Sequence, residues 1–196
     1  MNSASISTKI FKRIRNTSMQ YELPNDKELP LHPTTLTTIR PTRPDDVPAL
    51  KAVIDAVGLF PSDMLDEILA GYFTDPDSNH CWLTDDDNGP VGVAYYSPER
   101  LTEGTWNLYL IAIHSDWQGQ GRGAALLRYV EQALRARGER LLLVETSGLP
   151  EFQYQRAFYR RCGYTEEARI RNFYQAGEDK LIFCKELADN SQSTPL

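Results

Sequence analysis

The sequence predicts a mixed α/β fold: a mostly antiparallel sheet with a central parallel βαβ unit, flanked by helices. Three observations point there. Strand-like and helix-like runs follow one another in the order β-α-α-β-β-β-α-β-α-β-β. An Asn88-Gly89 turn joins two neighbouring strand patterns and makes that pair antiparallel. From Trp106 to Thr146 the chain instead runs strand, glycine-rich turn, helix, strand, which is the parallel unit.

The regular pattern starts at "TLTTIRPTRPDDVPAL". Alternation from Leu36 to Arg40 predicts a strand, and Asp45 or Asp46 is placed to cap a helix with Leu50, Val53, Ile54 and Val57 on one side. A second helix follows in "PSDMLDEILAGYF", with Ser62 as its cap and Met64, Leu65, Ile68, Leu69 and Tyr72 at helical spacing. "HCWLTDDDNGPVGVAYYSP" reads as the hairpin, and "WNLYLIAI" as a rich strand. After the glycines, Leu126, Val130, Ala133 and Leu134 mark the buried face of a helix that ends at Gly138 in a left-handed cap. "RLLLVET" is continuous enough to be a strand buried on both faces. A last helix on "EFQYQRAFYRRCG" takes Tyr154, Phe158 and Cys162 as its core stripe, with Tyr159 about 100° away. "YTEEARI" and "KLIFCKEL" close the sheet on either side of a polar loop, "RNFYQAGED".

The chain of 196 residues is 41% hydrophobic, enough for one domain with a substantial core, placed at residues 36–188. Residues 1–35 form a basic extension that supports no fold reading, and 189–196 a tail. The extension lacks the apolar core and cleavage pattern of a secretory signal. No run is long and apolar enough for a membrane-spanning helix, so no membrane partner is expected. Net charge of -6 and a pI near 5.1 disfavour nucleic acid as a partner. Cys81, Cys162 and Cys184 show no paired metal spacing and read as reduced, mostly buried thiols of a cytoplasmic protein.

The stretch "WQGQGRGAAL" carries the chemistry. A helix start offers amide N–H groups without intrahelical partners, and an anion reaches them when no Cβ blocks the approach. Gly119, Gly121 and Gly123 remove those Cβ atoms, and Arg122 brings a charge beside them. A nucleoside-triphosphate loop is excluded, since no Gly-Lys-Ser/Thr follows at the required spacing. A dinucleotide loop fits Gly119, Gly121 and Ala124, with Glu145 ending the next strand. The antiparallel hairpin just before it opposes a doubly wound sheet. A tight turn with close helix packing explains one or two of the glycines, not three.

Gln118, Gly121 and Gly123 match a third pattern, Q/R-x-x-G-x-G/A at a strand-to-helix junction. Here the chain resembles the GNAT superfamily of N-acetyltransferases. "LYLIAIHSDWQGQGRGAALL" looks like that family's central strand, pyrophosphate loop and helix, and "RAFYRRCGY" like its later helix ending in F-Y-x-x-x-G-F/Y. The resemblance covers about Thr37 to Leu187 and implies acetyl-CoA as co-substrate, with no metal. It implies that main-chain groups of Gln118, Gly119, Gln120, Gly121, Arg122, Gly123 and Ala124 hold the pyrophosphate. The pantetheine arm would lie along Ile111, Ala112 and Ile113, where backbone pairing is indifferent to side chains. An N–H near Ile113 would face the thioester oxygen.

The implied reaction is attack of a neutral amine on the thioester in a ternary complex. Tyr159 matches the family's F-Y tyrosine, its usual general acid; ordinary packing beside Phe158 is the other reading. Glu145 is the candidate base, directly or through water, or else a structural carboxylate. His114 is expected at the strand end for structural reasons. One departure stands out: where the family's longer pattern has an asparagine touching the cofactor arm, this chain has Phe152, with Gln153 and Gln155 as possible substitutes.

From Thr37 to Gly104 there are 13 acidic against 4 basic residues, which favours a small cationic or amino-acid-like amine as the partner. Tyr95, Tyr96, Trp106, Phe173 and Tyr174 are aromatic candidates near it. A peptide or protein amine, a non-catalytic acyl-CoA sensor and a nicotinamide-dependent oxidoreductase are the alternatives. A homodimer is open on the resemblance alone.

Overall fold

A computed structural model describes residues 39–75 and 78–187. The extension at 1–35, the first residues of the predicted opening strand and the tail at 189–196 lie outside them. The described chain runs β1 (Ile39–Pro41), α1 (Val47–Val57), α2 (Met64–Thr74), β2 (Cys81–Asp86), β3 (Pro90–Pro98), β4 (Thr105–Ile113), α3 (Arg122–Ala136), β5 (Leu141–Ser147), α4 (Gln153–Arg161), β6 (Thr165–Gln175) and β7 (Glu178–Glu186). The order of hydrogen-bonded strands is β1-β2-β3-β4-β5-β7-β6. The β4–β5 ladder is parallel, while β1–β2, β2–β3, β5–β7 and β6–β7 are antiparallel. This is the mixed, mostly antiparallel sheet expected from the element order.

The residues gather into two compact units, one running to Ser97 and including Tyr109–Leu127, the other built from Pro98–Leu108 and Arg128 onward. In the first, Leu50, Val53, Ile54 and Val57 of α1 and Leu65, Ile68 and Leu69 of α2 share a core with Trp82, Val93, Tyr95, Leu110 and Ala112. Both predicted caps are replaced. Asp46 belongs to a short 3-10 turn, Pro44–Asp46, and its carboxylate accepts from the Arg43 amide at 2.7 Å and from Arg40. The Ser62 hydroxyl donates to Asp55 at 2.8 Å instead of capping α2, because α2 starts one residue later than a Ser62 cap implies, with Asp63 in the cap position. The hairpin turn is as expected: Asn88 and Gly89 take φ of 56° and 137°.

In the second unit, α3 ends at Gly138 (φ 77°), with the Glu139 amide donating to the Leu134 carbonyl. Val130 and Leu134 are buried, and so is Glu131, which the apolar pattern passes over. Its carboxylate accepts from the Tyr164 hydroxyl at 3.1 Å and from Lys185 Nζ at 2.8 Å. Three corrections follow from side-chain direction. β5 alternates: Leu142, Val144 and Thr146 are buried while Leu141, Leu143 and Glu145 are half-buried, so it is not covered equally on both faces. On α4 the buried residue is Tyr159, not the Tyr154–Phe158–Cys162 stripe, which is half-buried. The polar "RNFYQAGED" is mostly strand, turning only at Ala176-Gly177. As the last strand in the sheet order, β6 is exposed along nearly its whole length, so its polar residues carry no alternation to read. The three cysteines are half-buried rather than buried.

Candidate active site

The glycine-rich loop is built entirely within the first unit. β4 ends at Ile113, and His114 continues the strand's pairing, its amide donating to the Val91 carbonyl at 2.8 Å. Ser115–Trp117 then make a single 3-10 turn; His114 Nδ1 accepts from the Asp116 amide at 3.3 Å, which gives this histidine the structural role expected of it. Gly119 and Gly121 adopt φ of 72° and 79°, a region closed to most other residues. α3 opens at Arg122, and the Ala125 amide makes the bond that joins the helix to the Gly121 carbonyl. The amides from Gly119 to Ala124 therefore come before the helical ladder. A Cβ at Gly121 would meet nothing within 4 Å, so the space beside this residue is open. That space and those donors suit a pyrophosphate.

Two side chains of the loop act differently from expectation. Gln118 uses its side-chain amide to donate to the Ile113 carbonyl at 2.8 Å, and its own main-chain N–H is taken by Ser115. Arg122 commits its guanidinium to the β2–β3 hairpin: Nη1 donates to both Asp85 oxygens at 3.0 and 3.1 Å, and Nη2 to Asp87. Trp117 stacks on it, 4.7 Å from Cζ to the ring centroid. Along β4 main-chain groups alternate in direction. Because His114 points its amide at β3, Ala112 does the same, and Ile111 and Ile113 direct theirs the other way. The parallel ladder with β5 ends at Leu108↔Val144, so both lie beyond it.

The proposed chemical groups sit in the second unit. Glu145, near the end of β5, accepts a hydrogen bond from Lys180 Nζ at 2.8 Å. Lys180 projects from β7, largely buried, with its ammonium 3.9 Å from the Phe173 ring centroid. Tyr159 is 7% exposed and touches Phe158, Tyr164 and Phe183 edge-on or tilted. Burial pushes its phenol above the ordinary range, with the nearby Cys162 adding to the rise. The start of α4 is fastened by Arg156, which donates to the carbonyls of Ser147 and Leu149, both at 2.8 Å. Gln155, one turn before Tyr159, has its side-chain carbonyl oxygen buried without a hydrogen-bond partner among the described residues.

Of the aromatic candidates, Tyr95, Tyr96 and Trp106 are core residues at 0, 5 and 2% exposure. The Tyr95 hydroxyl pairs with His80 Nδ1 at 2.6 Å, and Arg137 covers the Trp106 ring. Phe173 is half exposed, with Tyr174 set edge-on to it. Lys180, Asp85 and Asp87 had no role in the sequence reading. None has a local signal: β2 ends at Asp86, so Asp87 lies past the strand's alternation, and only the folded hairpin brings it to Arg122 together with Asp85.

A crystal structure from Desulfovibrio desulfuricans assigned to the GNAT family of acetyltransferases matches this chain at 34% identity and TM-score 0.71, covering 76% of this chain and 98% of that one. The chain belongs to the GNAT family. It is accordingly an acyltransferase. The family's acetyltransferase (GNAT) domain model matches residues 77–166, a span that holds the glycine loop, Glu145 and Tyr159. GNAT folds recur among more distant structures. An aminoglycoside 6′-N-acetyltransferase complexed with coenzyme A aligns at 16% identity and TM-score 0.63, over 77% of this chain and 97% of that one. A ribosomal-protein-alanine N-acetyltransferase from Brucella melitensis aligns at 24% and 0.62, over 76% and 98%. No curated protein matches the chain at the sequence level.

Proposed function

We propose that this GNAT protein transfers an acetyl group from acetyl-CoA to the primary amine of a small cationic or amino-acid-like molecule, in a catalytic domain spanning residues 36–188. The observation that carries the reading is the loop from Gly119 to Ala124, whose positive φ at Gly119 and Gly121, open space beside Gly121 and amides ahead of the helical ladder suit a pyrophosphate. Acetyl-CoA supplies the thioester; everything else falls to the chain. The amides of Gly119, Gln120, Gly121, Arg122, Gly123 and Ala124 bind the diphosphate. Gln118 serves by holding the Ile113 carbonyl, so Ile113 offers its N–H, and Ile111 offers both main-chain groups to the pantetheine amides. Gln155, with its unpartnered buried oxygen, takes the place of the side-chain contact that Phe152 cannot make.

In the reaction the amine nitrogen forms its bond to the acyl carbon as the carbon–sulfur bond breaks. The amine's proton passes to Glu145, directly or through water, and the departing thiolate takes one from Tyr159. Proton transfer from a phenol to a thiolate is uphill on ordinary pKa values in water, and burial of Tyr159 raises its phenol further. The same burial keeps the phenol protonated and desolvates the thiolate beside it, so a donated hydrogen bond is the main contribution. Glu145 in turn is aimed by the Lys180 ammonium, 2.8 Å from its carboxylate.

Part of the acidic excess is matched inside the fold, since Asp85 and Asp87 pair with Arg122, and Asp46 and Asp86 with Arg40. The remaining acids still favour a cation over an acidic acceptor. The deciding experiment is an amine panel with acetyl-CoA, read by free thiol release. Turnover on small cationic amines is expected. Turnover only on peptide amino termini would move the reading to a protein acetyltransferase, and calorimetric binding of acetyl-CoA with no turnover would make the chain a sensor.

A further inference from the structure

Arg122 stands in the middle of the proposed cofactor loop, and yet its charge is directed into the β2–β3 hairpin. A guanidinium has a planar fork of five donors. Here one arm meets both oxygens of Asp85, another meets Asp87, and Trp117 lies against the face. The Arg122 and Asp85 side chains are only 15 and 3% exposed, so the contact is shielded from solvent screening. With both arms engaged by carboxylates of the hairpin, the guanidinium fixes the backbone that carries the donors.

That fixing has a reason in the sequence. Gly121 and Gly123 flank Arg122, and glycine leaves the chain the most conformational freedom to lose on ordering. A side chain anchored at the one non-glycine position between them removes that freedom before the ligand arrives. Asp85 is itself held in place by close packing, because it faces Gly92 across the hairpin. A Cβ on Gly92 would stand 3.3 Å from the Asp85 Cβ and 2.5 Å from Ile113 Cδ1. Asp85 and Asp87 both turn to Arg122 while Asp86 between them goes to Arg40, so the three acids are divided between two arginines.

We infer that Asp85 and Asp87 are positioning residues of the cofactor loop, holding Arg122 so that the loop's amides, and not its arginine, meet the diphosphate of acyl-CoA. The inference rests on the acyl-CoA reading of the loop. The test is Asp87→Ala, at the hairpin tip, measured for acetyl-CoA affinity by calorimetry and for KM and kcat. Loss of one charge-assisted hydrogen bond predicts about a tenfold rise in both Kd and KM, with kcat at saturation within about twofold. Arg122→Lys, which keeps the charge and loses the fork, moves both constants the same way. Unchanged affinity in both variants overturns the inference. So does tighter binding with a steeper salt dependence in Asp87→Ala, the result expected if a released Arg122 is the phosphate ligand. Failure of the wild-type chain to bind acetyl-CoA defeats the loop's reading itself.

Discussion

Tyr159 combines a packed ring with a hydroxyl proposed as the general acid, and the two roles separate under mutation. The ring is wedged among Phe158, Tyr164 and Phe183, so Tyr159→Phe keeps the packing and removes only the donor. Turnover should fall about 100-fold, the lower end for a general acid, with acetyl-CoA affinity unchanged by calorimetry. Full activity would return Tyr159 to a packing role. Glu145→Gln keeps the shape and removes the proposed base; kcat should fall by a similar factor and the pH-rate profile should change shape. An unchanged profile would leave Glu145 as the partner of Lys180 and nothing more. Glu145 ended the apolar strand and Tyr159 followed Phe158 in the sequence, which made both visible as candidates. The burial of Tyr159 was not visible, because α4 is rotated from the stripe its spacing suggests.

β3 shows how one element serves two others. Gly92 sits where Asp85 of β2 and Ile113 of β4 approach the same point, and the Ala112 carbonyl lies 3.2 Å from where its Cβ would be. Gly92→Ala should destabilise the protein by about 1–3 kcal/mol, as overpacking does, seen as a lowered urea midpoint with an unchanged slope. It should also raise KM for acetyl-CoA, since both Asp85 and Ile113 must give way. A destabilised variant with native KM would separate the hairpin from the cofactor strand. In the sequence Gly92 reads only as a break in an apolar strand. Its neighbours come from residues seven before and twenty-one after, and no local pattern reports them.

Across the protein, charge is organised in networks that single-residue reading misses. Arg40 donates to Asp46 and Asp86, and the Asp46–Arg40 hydrogen bond holds the guanidinium protonated beyond its ordinary range. Burial pushes the Asp46 carboxyl up, but hydrogen bonds from Arg40 and the Arg43 amide outweigh it and hold it below the usual range. Arg40 does the same for Asp86, helped by the Gly89 amide. A carboxylate depressed in the folded state binds protons more weakly than in the unfolded chain. Its stabilisation is therefore complete above the unfolded pKa and is lost as pH falls through the folded one. Melting temperature should be flat from neutrality to about pH 5 and drop below about pH 4, and Arg40→Met should flatten that acid-side slope. An equal slope in the variant would place the acid sensitivity outside the Arg40 network.

Element order, the hairpin, the parallel unit and the loop were legible because each rests on local chemistry. Asn88-Gly89 can turn where few pairs can, and Gly119 and Gly121 take φ angles that most residues avoid. The motif Gln118–Gly123 with Phe158-Tyr159 carried the family, and the identity of 34% over nearly a whole relative agrees with it. What the linear order could not supply is the destination of long side chains. Arg122 goes to Asp85 and Asp87, Lys180 to Glu145 and Lys185 to Glu131, each across 35 residues or more. Spacing along the chain determines which residues can share a strand or a helix face. Which charge meets which is decided only when distant strands and helices pack, because a charged group leaving water takes the partner that packing brings within hydrogen-bond reach.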